Sequence, residues 1–221
     1  MVIQIGLLIL SYLLGSIPTG FLLGKMKGID IREHGSKNIG ATNTGRVLGK
    51  RYAIIAYIFD MLKGAVLVFL FRFEIISLEY CLLGQPLLYG MAATLGHTSS
   101  IYLKFKGGKA VATSSGVIFG YVPWLLLVGL IIFFTVMFIT KYVSVGSIVG
   151  ASSVLLICVV LTIVGKDPFY EGFTYDWYFL LFITIIFIIL IIRHKGNISR
   201  LRQKTESKIN FKRKKESSNE S

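Results

Sequence analysis

Long apolar runs separated by short polar connections dominate the pattern of this chain. Six runs approach the ~20 residues that a helix needs to cross a bilayer, at residues 1–24, 53–71, 80–96, 122–140, 143–164 and 177–192. A seventh stretch, residues 110–121, is small and weakly polar and would extend only ~18 Å as a helix. The pattern predicts an all-α integral membrane protein, and the seventh stretch decides its topology.

The charges of the connections distinguish six crossings from seven. Lys and Arg mark cytoplasmic loops, and here they crowd residues 25–51, 104–109, 141 and 193–215, whereas acidic residues occupy 74–79 and 167–176. Six crossings would place the basic tail outside and the acidic 166–176 loop inside. A short crossing at 110–121, ended by Pro123 and packed through small residues, restores every loop to its expected side. We predict a compact bundle of about seven transmembrane helices, with the N-terminus outside and the C-terminus cytoplasmic.

Composition excludes an ordinary soluble domain, because 54% of the residues are hydrophobic and only 16% are charged. A net charge of +13 would suggest nucleic acid in a soluble protein. Here it indicates topology and attraction to anionic lipid, so no nucleic-acid partner is expected. Cys81 and Cys158 lie far apart in apolar runs and predict neither a disulfide nor a metal site. Residues 1–208 are predicted to form one membrane-embedded domain, and 209–221 a basic, disordered cytoplasmic tail.

The first of two polar stretches between the apolar runs is residues 35–49. It interleaves glycines with the polar residues Ser36, Asn38, Thr42, Asn43, Thr44 and Arg46. Such a segment can direct backbone N–H groups at an anion, and Arg46 can grip a phosphate through two bonds. A flexible connector with topogenic charge explains the composition equally well.

The second stretch, residues 104–109, leads directly into the short crossing. It contains Lys104, Lys106, Gly107, Gly108 and Lys109. A cation at the start of a helix is unfavourable unless an anion lies between them. This favours a phosphate site over the alternative, positive-inside lysines beside a turn.

Several isolated polar residues have plainer interpretations. His97 and His194 end apolar runs, where hydrogen bonding at the interface is more typical than catalysis. Asp60 and Lys63 have i, i+3 spacing within the second run and can pair or brace the loop, and bracing is favoured. Ser144 can cap the next helix or contact a ligand, and capping is favoured.

The basic, Gly-rich elements converge on the predicted cytoplasmic face, which indicates a membrane-embedded phosphate pocket. The sequence has no Walker A spacing, no HEXXH motif, no acidic cluster for two metals and no obvious covalent nucleophile. Binding and charge neutralisation are therefore the expected tasks of the pocket, with no cofactor and no metal.

The polar stretches resemble the motifs of a known family, the bacterial acyl-phosphate-dependent glycerol-3-phosphate acyltransferases. The segments that carry the resemblance are Ser36-x-Asn38-x-Gly40-Ala41-Thr42-Asn43-x-x-Arg46-x-x-Gly49, Asp60-x-x-Lys63-Gly64, Gly96-His97, Phe105-Lys106-Gly107-Gly108-Lys109-x-Val111-Ala112-Thr113, Lys141-Tyr142-x-Ser144, and His194-x-x-Asn197-Ile198-x-Arg200-Leu201 with Glu206. Three positions depart from the family: Ala110 and Lys204 replace the usual Gly, and Lys141 replaces the usual Arg.

The resemblance implies a seven-helix membrane enzyme in the bacterial cell membrane with its active site at the cytoplasmic face. Such an enzyme transfers a fatty acyl group from acyl phosphate to the 1-hydroxyl of glycerol 3-phosphate and forms lysophosphatidic acid for phospholipid synthesis. The implied partners are glycerol 3-phosphate, acyl phosphate, anionic membrane lipid and, transiently, the soluble enzyme that makes acyl phosphate. A transporter of a small phosphate ester is the alternative, since it needs the same basic pocket.

Residue roles follow from matching positions in these motifs. The catalytic candidates are His97, Lys109 and Arg46. The substrate-binding candidates are Ser36, Asn38, Gly40, Thr42, Asn43, Lys106, Gly107, Gly108, Ser144, His194 and Asn197. Ser36, Arg46, Lys109 and Asn197 are expected to hold glycerol 3-phosphate. The backbone of residues 40–43 and Lys106 are expected to receive the acyl-phosphate head, with the acyl tail leaving between helices. The base is either His97 or a substrate phosphate oxygen.

Overall fold

The computed structural model describes residues 1–169 and 175–209, and regular structure in these ranges is helical. The α-helices are α1 (Val2–Ser16), α2 (Thr19–Lys25), α3 (Ala41–Leu48), α4 (Lys50–Arg72), α5 (Leu87–Thr98), α6 (Val111–Tyr121), α7 (Pro123–Thr140), α8 (Val143–Val164), α9 (Trp177–Arg193) and α10 (Lys195–Arg202). The tail predicted to be disordered lies outside the described residues, except for Ile209.

Three described helices, α4, α7 and α8, are each long and apolar enough to cross a membrane. The number rises to five if the pair α1 and α2, bent by 45°, and the pair α9 and α10, bent by 51°, each form one span. Helices α5 and α6 have only 12 and 11 residues, fewer than a full crossing requires. The all-helical membrane architecture is confirmed, whereas the count of seven crossings and the orientation of the termini stay predictions.

The third predicted run begins later than its hydrophobicity suggested. The pattern favoured a helix from residue 80, but residues 78–84 form two 3₁₀ turns and α5 begins at Leu87. Leu83 and Gly84 both have positive φ, 55° and 63°, which interrupts a right-handed helix. Pro86 then precedes the helix, where its missing N–H costs nothing.

The short stretch at 111–121 is helical, as predicted, and packs closely on α4 through glycines. Gly64 of α4 lies against the backbone of Thr113, and Gly116 of α6 lies against the backbone oxygen of Met61. A Cβ atom at either glycine would overlap main-chain atoms of the facing helix. Small residues let helix backbones approach in lipid, where dispersion contacts replace the hydrophobic effect.

Replacing Gly116 by Ala is expected to destabilise the protein by about 1–3 kcal/mol, because the facing atoms belong to a rigid backbone. Thermal unfolding of the purified variant in detergent measures the loss. Gly6→Ala on α1 is the matched control, since no atom lies within 4 Å of the added methyl group. Equal unfolding midpoints for the two variants would show that the contact between α4 and α6 tolerates a side chain.

One end of the bundle gathers the functional segments. Helices α1 and α5 run parallel, because Ser11 hydrogen-bonds to Tyr89 O while Gly15, one turn on, lies against Ala93. Helices α4 and α6 are also parallel, whereas α7 and α8 are antiparallel, with Gly146 beside Phe133. We call the end that holds the C-termini of α1, α5, α7 and α9 and the N-termini of α6 and α8 the inner end.

Asp60 and Lys63 pair with each other, the alternative that the sequence left open, and together they brace the break between α1 and α2 at the inner end. Lys63 Nζ lies 2.7 Å from Asp60 Oδ1 and donates to Ile17 O at 2.8 Å, where α1 ends. Asp60 Oδ1 also accepts the hydroxyl of Thr19 at 2.9 Å, where α2 begins. The pair ties α4 to the break between α1 and α2 and satisfies backbone groups that the break exposes.

Candidate functional site

Asn43 holds the glycine-rich loop that precedes α3. Its Oδ1 accepts the backbone N–H of Ser36 at 2.7 Å, and its Nδ2 donates to Ile31 O at 2.9 Å and His34 O at 3.1 Å. The residue is 1% exposed. Its amide is therefore committed to shaping the loop, and contact with a ligand near Asn43 is left to the backbone.

The start of α3 presents backbone donors, as the composition of the loop predicted. Gly40 is the N-cap, and its own N–H donates to Asn38 Oδ1 at 2.9 Å. The N–H groups of Ala41 and Thr42 lie in the first turn, where a helix supplies no partner for them. The Thr42 side chain is exposed and that of Ser36 is half-buried. The helix dipole and these donors together favour an anion.

The second loop, residues 104–110, lies between the ends of α5 and α9. Gly108 donates its N–H to His97 O at 2.9 Å, and a Cβ atom there would overlap the His97 imidazole. A Cβ atom on Gly107 would overlap His97 O. On the other side, Arg193 Nε donates to Gly108 O at 2.9 Å and Arg193 Nη2 to Gly107 O at 2.6 Å. Only glycine therefore fits at positions 107 and 108, between His97 and Arg193.

Sequence reasoning did not assign a role to Arg193. Its signal was a basic residue that ends the last apolar run directly before a motif histidine, but such residues are also common topogenic charges. The guanidinium forms two hydrogen bonds to successive carbonyl oxygens, a geometry that lysine does not reproduce.

Lys109 is the most perturbed cation of the loop segments. Burial lowers the pKa of Lys109 to about 8, and the carboxylate of Glu206 partly opposes this effect. Arg200, Arg46 and Arg193 lower its pKa further. Cations gathered against one carboxylate leave a surplus of positive charge, which an anionic ligand would neutralise.

This pKa predicts a pH dependence for anion binding. Lys109 is charged below about pH 8 and loses its proton as the pH rises through that value. Because a phosphate binds the ammonium form, the KM for glycerol 3-phosphate is expected to rise up to about tenfold per pH unit above pH 8. Initial rates between about pH 6.5 and 9.5, on both sides of this pKa, measure the change in KM. In Lys109→Arg the rise should vanish, since guanidinium stays charged. An identical rise in both proteins would assign the titration elsewhere.

Glu206 joins α8 and α10 at the inner end. Its carboxylate accepts hydrogen bonds from Ser144 Oγ at 3.0 Å, Asn197 Nδ2 at 2.6 Å and Arg200 Nε at 2.7 Å. Burial raises the pKa of Glu206, but these three donors outweigh it and lower the pKa below its usual value. The carboxylate is therefore ionised at neutral pH.

The capping role favoured for Ser144 is wrong. Tyr142 is the N-cap of α8 and makes no side-chain cap bond, and Ser144 lies inside the first turn, donating to Glu206. The competing carboxylate is 62 residues further along the chain, so local spacing could not reveal it.

Residues 203–209 pass across the inner end and connect its segments. Arg46 Nη2 donates to Ser207 O at 3.3 Å, and the N–H of Ile209 donates to Lys141 O at 2.8 Å. Ala110, before α6, and Lys204 both have a positive φ, of 68° and 58°. Glycine adopts positive φ most readily, which explains why the resembled family favours glycine at both positions. The turn at Lys204 forms despite the substitution.

Both predicted site histidines are buried. His97 is 4% exposed, its Nδ1 lies 3.9 Å from Asp60 Oδ1 without a hydrogen bond, and Gly108 covers the Nε2 edge of its ring. His194 Nδ1 lies 2.8 Å from Leu190 O within the last turn of α9. Neither imidazole presents a large surface to the inner end.

Two cavities adjoin these segments. A polar cavity of about 380 Å³ lies on the surface between the two loops, lined by Asp30, Arg32, Glu33, Lys37, Asn38, Ile39, Leu103, Lys106 and Gly107. The second is a partly open apolar groove of about 110 Å³ between α6, α7, α8 and α9, which Tyr57 of α4 also lines. It begins at Val111 and Leu190, next to Lys109 and His194, and continues to Leu126 and Val154. The structure thus places the cations around Lys109 beside the apolar groove.

Seven of the candidate site residues fall into two groups. Lys109, Arg46, Ser144 and Asn197 surround Glu206 through hydrogen bonds or charge interactions. Asn38, Lys106 and Gly107 line the polar cavity instead. The two groups meet at the short loop from Gly107 to Lys109.

Comparison with known proteins identifies close relatives. The family model described as glycerol-3-phosphate acyltransferase matches residues 5–204. A glycerol-3-phosphate acyltransferase of Bacillus subtilis is 42% identical over 209 residues, covering 93% of this chain and 97% of the relative, and one of Acholeplasma laidlawii is 40% identical over 219 residues, covering 93% of each.

Two solved structures are also similar. Crystal structures of PlsY (YgiH), an integral membrane glycerol 3-phosphate acyltransferase, superpose with a TM-score of 0.81 for the glycerol 3-phosphate form and 0.79 for the lysophosphatidic acid form. Their sequences are 33% and 32% identical to this one. The matches cover 94% of this chain, and 96% and 95% of those chains.

Proposed function

This chain belongs to the glycerol-3-phosphate acyltransferase family, and from that premise we propose that it takes its acyl group from acyl phosphate. As a member of the family it acylates glycerol 3-phosphate to lysophosphatidic acid. The observation that carries the choice of donor is the surplus of cations around Lys109, where three arginines face one carboxylate. Two phosphates, one on each substrate, match that surplus.

Each substrate has a complementary surface in this proposal. The phosphate of glycerol 3-phosphate binds Lys109, Arg46, Asn197 and Ser36. The acyl-phosphate head binds the backbone at the start of α3 together with Lys106, and its chain enters the groove that begins at Val111. Further polar contacts come from Asn38, Thr42 and Gly107. Gly108, Ser144 and His194 support the site indirectly, because their polar groups are already bonded to His97 and Arg193, to Glu206 and to Leu190 O. Apolar lining beside a cationic entrance suits a ligand with a phosphate head and a hydrocarbon tail.

The reaction needs no protein nucleophile. The 1-hydroxyl oxygen of glycerol 3-phosphate bonds to the acyl carbonyl carbon, the bond from that carbon to the phosphate oxygen breaks, and inorganic phosphate leaves. Positioning and charge neutralisation by Lys109 and Arg46 supply the rate enhancement. The burial of His97 and the direction of its Nδ1 toward Asp60 support a phosphate oxygen, rather than His97, as the acceptor of the hydroxyl proton.

The same proposal locates the reaction in the cell. Basic loops at the inner end support a cytoplasmic active site in the bacterial cell membrane. The basic residues after Arg193 support attraction to anionic lipid. A donor made by a soluble enzyme reaches the groove most directly through transient contact at this face.

Purified protein in detergent tests the donor. Labelled glycerol 3-phosphate is incubated with acyl phosphate, acyl-CoA or acylated carrier protein of one chain length, and labelled lysophosphatidic acid is quantified. Product from acyl phosphate alone is expected. Product from a thioester but none from acyl phosphate would overturn the choice of donor. Counterflow of glycerol 3-phosphate in vesicles without any product would instead support the transporter.

A further inference from the structure

Two hydroxyl groups stand out in the apolar groove, one on Ser114 of α6 and one on Tyr57 of α4. Ser114 Oγ and Tyr57 Oη both line the groove, and both are buried without a hydrogen-bond partner. Ser114, on α6, is 9% exposed. Leaving a buried hydroxyl unpaired costs about 1–3 kcal/mol, so two of them in one groove indicate a partner that the ligand supplies.

The neighbouring serines of the groove behave differently. Ser115 Oγ donates to Val111 O at 2.9 Å, and Ser147 Oγ donates to Val143 O at 2.9 Å, the usual bond to the carbonyl four residues earlier. Ser114 Oγ does not use this bond, although the carbonyl of Ala110 accepts the backbone N–H of Ser114 at 2.7 Å in the ordinary helical way. Tyr57 lies beside Ser115, whose proton is already donated, and makes no hydrogen bond of ordinary geometry with it.

The position of the pair selects one polar group of the ligand. Ser114 lies one turn into α6, and the groove opens at Val111, two residues after Lys109. In the proposed function the donor's phosphate binds Lys106 and the start of α3, beside the loop from Gly107 to Lys109. Its only other polar group, the acyl carbonyl, directly follows the phosphate. The hydrocarbon chain beyond that carbonyl needs no hydrogen-bond donor.

We propose that the hydroxyls of Ser114 and Tyr57 donate to the carbonyl oxygen of the acyl donor and stabilise the charge that develops there. This inference rests on the proposed function. When the glycerol hydroxyl oxygen bonds to the carbonyl carbon, the π electrons move to the carbonyl oxygen, and they return as phosphate leaves. Both hydroxyls keep their protons throughout. Donors already in place in an environment without water are effective because no reorganisation is needed.

Two non-reactive inhibitors separate this role from a structural one. An acyl phosphonate retains the carbonyl, whereas an alkyl phosphonate of equal length lacks it. In the unaltered protein the acyl phosphonate is expected to inhibit at least about tenfold more strongly. In Ser114→Ala and in Tyr57→Phe that ratio should fall toward one, with inhibition by the alkyl phosphonate little changed. Ser152→Ala, on the exposed face of α8, is the matched control.

The kinetic expectation is a fall in kcat of about tenfold to a thousandfold for each variant, larger than any change in KM for the donor. Equal inhibition by both phosphonates in the unaltered protein would overturn the inference without any variant. Weaker inhibition by both compounds in Ser114→Ala and Tyr57→Phe would also overturn it, because the groove itself would then have changed. If Ser114→Ala does not fold, Tyr57→Phe and the inhibitor ratio still decide. Failure of acyl phosphate as a donor would appear separately, as no turnover by the unaltered protein.

Discussion

Replacing Lys109 by Ala is expected to lower kcat/KM about a hundredfold to a thousandfold. The ammonium group is half-buried, and it faces Glu206 and three arginines across the site where a phosphate is proposed to bind. A charge held in a partly dry site acts on a phosphate more strongly than one in water. Initial rates over a range of glycerol 3-phosphate concentrations, with donor saturating, measure the loss.

Two further variants make this result specific. Lys104→Ala removes an exposed cation of the same loop and should change kcat/KM less than about threefold, because solvent and salt screen its charge. Lys109→Arg retains the charge and should recover part of the activity. A similar loss in Lys104→Ala and Lys109→Ala would mean that the loop attracts anions only through its net charge.

Replacing Glu206 by Ala is expected to lower the free energy of unfolding by about 2–3 kcal/mol. The change leaves Asn197 and Ser144, both buried, without their partner and separates residues 203–209 from α8 and α10. The ion pair with Arg200 adds little to this figure, since the Arg200 side chain is 39% exposed. Activity should fall with it, because Arg46 bonds to Ser207, next to Glu206.

Thermal unfolding in detergent and activity of the same preparation measure the two effects. The unfolding midpoint and activity of Glu206→Gln should lie between those of the unaltered protein and those of Glu206→Ala. The amide oxygen of Gln still accepts a hydrogen bond from Asn197, whereas its NH₂ group faces Arg200. Glu79→Ala, an exposed carboxylate beside the start of α1 and away from the site, is the control for lost negative charge. An unchanged unfolding midpoint in Glu206→Ala would show that the segments are held together by other contacts.

Most helices were predictable because their apolar runs end at strong local signals. Helix α8 spans the residues 143–164 that the sequence predicted, and α7 differs from its predicted run by one residue, with Pro123 as its first position. The predicted start of the third helix was wrong, because hydrophobicity carries no information on backbone conformation. Leu83 and Gly84 have positive φ and turn the chain before Pro86. The charges of the loops predicted the short helix α6. The role of its glycines in packing on α4 could be recognised only once the facing backbone was known.

The candidate site residues were selected through motifs, but the contacts that their side chains make were not predictable from those motifs. Asn43 was expected to bind substrate, and its amide is occupied in holding the loop around Ser36. Ser144 was expected to cap a helix, but its hydroxyl donates a hydrogen bond to the carboxylate of Glu206, 62 residues further along the chain. Arg193 had no assigned role, because its two carbonyl partners lie 85 and 86 residues earlier.

The sequence by itself determined the membrane class, most of the helix positions, the family and the collection of basic, glycine-rich segments, since these depend on hydrophobicity, local backbone preferences and motif spacing. Only the tertiary structure decided which cations surround Glu206, which polar groups are already satisfied, and that a groove with two unpaired hydroxyls begins beside Lys109. These features depend on contacts between segments far apart in the chain. Such contacts arise from the packing of helices, which no local pattern of residues encodes.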